Sequence, residues 1–184
     1  MKKTINVLII SLFFTNFYTG IAQPTTSAPK MPIDKDTKLI TYKEVVKEQG
    51  SKDELYTRAI EWLNSFYKNP LDVTKVRDKE NGKIQGLARM RLYITDKDGD
   101  QLPAGIVSYK INLELKDARY RYTITDFNVK KQSKFPLERW MDKKDNEYTT
   151  KCDSFIEQVD KYTKNLIINL KKSMKPVVKK KDEW

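Results

Sequence analysis

Apolar positions alternate by twos in five stretches between residues 38 and 130, broken once by a run spaced at threes and fours. In 38–47, KLITYKEVVK, one side carries Ile40, Tyr42, Glu44 and Val46 and the other Leu39, Thr41, Lys43 and Val45. That period, rich in β-branched and aromatic residues, predicts a strand. Gly50 ends it, and Ser51 stands three residues before Glu54, the spacing of a capping box, so a helix starts there. Through 51–69 Leu55, Ala59, Trp62, Leu63 and Phe66 recur on one stripe, while Lys52, Asp53, Arg58, Glu61 and Lys68 mostly face away. Burying each large side chain of such a stripe is worth about 1.5–3 kcal/mol, so it needs a cover. The neighbouring segments in sequence are strands.

Residues 72–78 lead to Asn81-Gly82, a strong hairpin signal because both turn positions favour positive φ. In 83–96, Ile84, Gly86, Ala88, Met90, Leu92 and Ile94 oppose Gln85, Leu87, Arg89, Arg91 and Tyr93. After a turn over 96–103, residues 105–117 set Val107, Tyr109, Ile111, Leu113 and Leu115 against Ser108, Lys110, Asn112 and Glu114. In 119–130, Tyr120, Tyr122 and Ile124 oppose Arg121, Thr123, Thr125 and Phe127. These half-apolar strands make an antiparallel meander with one covered face. A loop with Phe135, Pro136 and Trp140 follows, and helical spacing returns in 150–174 through Phe155, Val159, Tyr162, Ile167, Leu170 and Met174, flanked by Leu166. The expected fold is α+β, in the order β-α-β-β-β-β-α, a curved antiparallel sheet with two helices on one face.

The ends read differently. Lys2 and Lys3 precede an apolar stretch from Ile5 to Phe14, and Gly20-Ile21-Ala22 supplies small residues for cleavage, so residues 1–22 are expected to be a signal peptide. The run is shorter than the roughly 20 residues of a membrane-spanning helix. An exported protein, periplasmic or secreted and in one reading associated with the envelope, is the implied product. Residues 23–36 hold three of the seven prolines and suit a flexible linker; 37–175 are the size of one domain; 176–184 are a basic tail. Cys152 is the sole cysteine, so no disulfide forms within the chain, and it is either a core residue or a link to another chain.

The chain has 36 Lys and Arg against 25 Asp and Glu, a formal charge of +11. Such a balance points to nucleic acid, an anionic membrane surface or acidic glycans; for an exported chain nucleic acid is not expected. It contains no histidine, which excludes Ser-His-Asp and Cys-His catalysis and typical zinc sites. Asp96-Lys97-Asp98-Gly99-Asp100 departs from a calcium loop, with Gln101 and Val107 where Gly and Glu belong, and reads as a polar turn. The glycines have no phosphate-cradling spacing. No catalytic residue, metal or cofactor is therefore expected. Arg89, Arg91, Tyr93, Lys110, Arg119 and Arg121 form the candidate binding face, basic with an aromatic member, against the plainer reading of a wet sheet surface. Lys179, Lys180 and Lys181 form a candidate anion-binding or membrane-docking tail.

The segments TYKEVVKEQG, SKDELYTRAIEWL, KENGKIQGLARM and DARYRYTITDF resemble an uncharacterised family of secreted bacterial domains over roughly residues 38–130, with the last helix fitting the same plan. The helix start "SKDELYTRA" and the strand "RYRYTITDF" carry the likeness. The resemblance implies a TBP-like fold, that of one repeat of the TATA-binding protein, and carries no catalytic residues to transfer. Fold does not import function. Two functions are expected as alternatives. One is a non-catalytic binding module using its open sheet face or edge to hold a protein, glycan or lipid partner. The other is an envelope accessory protein docking on anionic membrane through its tail.

Overall fold

The computed structural model describes residues 29–176. The elements run β1 (Tyr42–Lys47), α1 (Lys52–Phe66), α2 (Pro70–Val73), β2 (Thr74–Asp78), β3 (Lys83–Thr95), β4 (Gln101–Lys116), β5 (Arg119–Lys130), β6 (Lys134–Pro136), a 3-10 turn (Leu137–Met141) and α3 (Thr150–Ser173). One six-stranded antiparallel sheet has the order β1-β5-β4-β3-β2, with β6 also pairing with β5. Both long helices lie on one face of it, as the apolar spacing requires. The signal-peptide segment and the lysine tail lie outside the described residues.

The start of α1 forms as its sequence dictates. The Ser51 hydroxyl accepts from Glu54 N at 3.3 Å, and Ser51 N donates to the Glu54 carboxylate at 2.7 Å. Leu55, Tyr56, Ala59, Trp62 and Leu63 are buried, and Phe66 half-buried, against the sheet and α3. The Trp62 indole N–H donates to Asn169 Oδ1 of α3 at 2.9 Å, and its ring stacks on Phe66 at 5.5 Å. On α3 the buried line is Cys152, Ile156, Val159, Thr163, Leu166 and Leu170. Of the expected stripe, Val159, Leu170 and Met174 are buried together with Leu166, whereas Phe155, Tyr162 and Ile167 form a half-buried flank. Cys152 is buried in the first turn of α3, which settles its place in the core.

Several boundaries move. Residues 29–36 belong to the folded body and are no linker: Met31 is buried, Ile33 bridges Ile40, and Thr41 N donates to Pro32 O at 2.9 Å. The chain reverses at Asp34, whose carboxylate accepts from the backbone of Asp36 and Thr37, so β1 begins only at Tyr42. The 96–103 turn is shorter than expected, β4 starting at Gln101, since Asp96 alone satisfies the amides of Asp98 and Asp100. At the β2–β3 hairpin Gly82, at φ 61°, is left-handed and Asn81 is not. The Asp78 side chain instead caps Asn81 N at 3.0 Å, making a four-residue loop.

The largest departure is in β5. Tyr120, Tyr122 and Ile124 face the helices, but a bulge opposite Tyr109, with Asp126 at φ 57°, inverts the alternation so that Phe127 and Val129 are buried too. Phe127 then stacks on Tyr109 at 5.7 Å. An extra residue exchanges the two faces of a strand, which is why the expectation for Phe127 fails.

The bulge is held by charge. Asp126 accepts from Asn128 Nδ2 at 2.8 Å and pairs with Lys110 at 2.8 Å and Lys134 at 3.1 Å. Burial alone would raise this carboxyl, but those three partners together hold it at about 2. A folded value below the unfolded one gives stability that is complete above about pH 4 and lost as pH falls towards 2. Asp126→Asn keeps a residue that tolerates the left-handed conformation and removes the charge. In urea titrations the stability gap between wild type and this variant is expected to shrink between pH 4 and pH 2. A gap unchanged over that range would rule out the ionised carboxylate as the stabilising species.

Candidate functional site

The face of the sheet away from the helices is uncovered. The connection holding Trp140 closes the other side: Trp140 is buried between Phe135, at 6.1 Å, and Phe155 of α3, at 5.5 Å. On the uncovered face the register sets out rows across the strands. Lys47, Arg119 and Lys116 form the first, on β1, β5 and β4. Next come Val45, Arg121, Glu114 and Lys83, then Lys43, which pairs with Asp34 at 3.5 Å, with Thr123, Asn112 and Gln85, then Thr125, Lys110 and Leu87. Arg89 stands beside Ser108, and Arg91 beside Ile106, at the far end.

Five of the six face residues expected from sequence lie here, and their surroundings differ. Arg121 pairs with Glu114, and Lys110 with Asp126. Arg89, Arg91 and Arg119 have no carboxylate partner among the described residues, nor do Lys47 and Lys116. Tyr93 is the exception. The β3–β4 register shifts between Leu92 and Tyr93, and Tyr93 lines a groove with Phe155 and Gln158 of α3. Its backbone exchanges two hydrogen bonds with the Gln158 amide, at 2.9 and 2.8 Å. Alternation alone could not have revealed this, because the signal is a glutamine 65 residues away. Tyr93 is thus half-buried at the end of the basic face, with its backbone tied to α3.

Lys47 and Lys116 were not among the residues expected from sequence. Both sit at strand ends beside Arg119, a neighbourhood that only the strand order creates. A shallow depression of about 210 Å³ lies there, lined by Val45, Glu114, Lys116, Arg119, Tyr120 and Arg121. Exposed apolar atoms on the face come from Val45, Val76 and Leu87, 58%, 38% and 39% exposed. The aromatic side chains among the described residues are all buried or half-buried.

Two polar clusters lie between the helices and the sheet, one of them reaching solvent at Lys164. Tyr67 and Tyr162 hydroxyls both bond that of Tyr109, at 3.1 and 3.0 Å. Burial pushes all three phenols up, so they stay protonated. Tyr42 donates to Asp160 at 2.7 Å, and Lys164 closes that cluster at 2.7 Å. Both groups tie helices to sheet. Among the described residues, no three acidic or cysteine side chains gather as a metal site, and no helix is long and apolar enough to cross a membrane.

An antiparallel sheet roofed by helices on one side and bare on the other is the TBP-like arrangement. Residues 42–130 match the family described as a domain of unknown function (DUF4468) with TBP-like fold. Among solved structures it is similar to a DUF4468 family protein from Bacteroides ovatus, with TM-score 0.63 and 13% identity over 82% of this chain and 94% of that one. A TBP-like protein from Parabacteroides distasonis gives TM-score 0.53 and 15% identity over 77% of this chain and 97% of that one. No curated protein matches the sequence.

Proposed function

We propose that this chain is an exported, non-catalytic binding module whose uncovered sheet face holds an anionic partner. One observation carries the reading: Arg89, Arg91, Lys116 and Arg119 stand on a face covered by no other element and without carboxylate partners among the described residues. Exposed cations left unneutralised attract an anion and steer its approach, and arginine adds two-pronged recognition of carboxylate, sulfate or phosphate. The non-catalytic part rests on a sequence without histidine. Export rests on the leader-like pattern of residues 1–22.

The face is tested with Arg89→Glu and Arg91→Glu together, measuring binding to heparin as a model polyanion. Each exposed ion contact contributes roughly 0.5–1 kcal/mol, more when its sign is reversed, so affinity should fall at least about tenfold. Unchanged affinity, with the fold intact by circular dichroism, would remove the face from the reading. For export, sequencing the N-terminus of the protein recovered outside the cytoplasm should begin near Gln23. Retention of Met1 would sink that part.

A further inference from the structure

Resting on the anionic-partner reading, we infer that the ligand is a linear acidic glycan that bridges two separate cationic ends of the sheet face. The charges are not spread evenly. At one end Lys47, Arg119 and Lys116 lie in a single row across three strands, followed by Arg121 and Lys83 flanking Glu114. At the other end are Arg89 and Arg91. Between them Lys43 is paired with Asp34 and Lys110 with Asp126, and the remaining polar groups are neutral: Thr123, Asn112 and Gln85 make no side-chain hydrogen bond among the described residues.

Register gives the length of the gap. From Lys116 to Ser108, the neighbour of Arg89, is eight residues along β4, or about 26 Å at the strand rise. The ends are also offset by two strands, from β5 to β3, about 10 Å sideways. A small anion reaches one end only. An extended polyanion laid obliquely across the sheet reaches both, and its second contact becomes intramolecular.

The middle and the missing rings select the polymer. Single-stranded nucleic acid relies on exposed aromatic platforms for stacking, and no described aromatic side chain is exposed. The neutral rows offer amide and hydroxyl groups, which match the hydroxyls of a sugar chain lying between its charged groups.

The test measures calorimetric affinity of the whole chain for heparin oligosaccharides of graded length, at fixed moderate salt. Short oligomers should bind weakly and nearly equally, and affinity should step up, on the order of a hundredfold, once the oligomer spans both ends. Arg89→Glu with Arg91→Glu, or Lys116→Glu with Arg119→Glu, should each return the long oligomer to the short-oligomer value. Replacing Lys179, Lys180 and Lys181 by Gln should leave the step in place. A smooth rise with length, equal losses for short and long oligomers, or a step that vanishes with the tail lysines would overturn the bridging arrangement while leaving an anionic partner standing. Tighter binding of single-stranded oligonucleotides of equal length, or of phosphatidylglycerol vesicles, would overturn the glycan assignment. Failure to bind any anionic probe would overturn both this inference and the reading beneath it.

Discussion

Replacing Trp62 by alanine is expected to lower the free energy of unfolding by about 3–5 kcal/mol, the largest loss for any single position on α1. The indole is 1% exposed and lies where α1, α3 and the sheet converge. It stacks on Phe66, meets Tyr67 edge-on at 5.9 Å, and its N–H reaches Asn169 on α3. Alanine removes the ring and strands the Asn169 carbonyl together. Trp62→Phe separates the two effects, since it keeps most of the volume and loses the donor, costing about 1 kcal/mol for the hydrogen bond plus the smaller volume change. Urea denaturation monitored by far-UV circular dichroism measures both. Total stability for a domain of this kind is about 5–15 kcal/mol, so the alanine variant would be near its folding limit. A loss below about 1 kcal/mol would mean that the ring is not sandwiched between the helices.

The second large effect is expected at Gly82. Its φ of 61° costs an L-residue about 1–2 kcal/mol, but space is the greater obstacle. A Cβ there would stand 2.3 Å from the backbone oxygen of Leu115, and the Gly82 carbonyl accepts from Leu115 N at 2.7 Å. A rigid backbone atom cannot yield as a side-chain tip can, so the hairpin must pull away from the end of β4 and lose that hydrogen bond. Gly82→Ala should therefore destabilise by well over about 2 kcal/mol. Gly99→Ala is the control: its φ is 91° and no atom lies within 4 Å of the added carbon. Equal losses at the two glycines would show that the β2–β3 loop relaxes without cost.

The elements that a single period describes were legible from sequence. α1 with its Ser51 cap, β3, and the early half of β5 follow rules that depend on adjacent residues alone. What escaped depends on distant partners. The bulge at Asp126 is stabilised by Lys110 and Lys134, and no period predicts where alternation reverses. Residues 29–36 look like a linker because their prolines lack a pattern, yet Met31 finds a pocket beside Tyr42 and Asp160. For the face, Arg89, Arg91, Lys110, Arg119 and Arg121 could be assigned to one side by counting in twos. Strand order was needed to bring Lys47 and Lys116 beside Arg119, and a distant glutamine on α3 ties down the backbone of Tyr93.

The position of α3 also orders events in time. Strands β3 to β5 and helix α1 lie in the first four fifths of the described chain, whereas Ile156, Val159, Leu166 and Leu170 come from its last element. Chains are synthesised from the N-terminus, so the meander exists before half of its roof. Until residues 150–173 emerge, the oily side of the sheet has only α1 above it. A nascent molecule thus passes through a stage at which a chaperone or a second copy meets the hydrophobic surface that α3 will later claim.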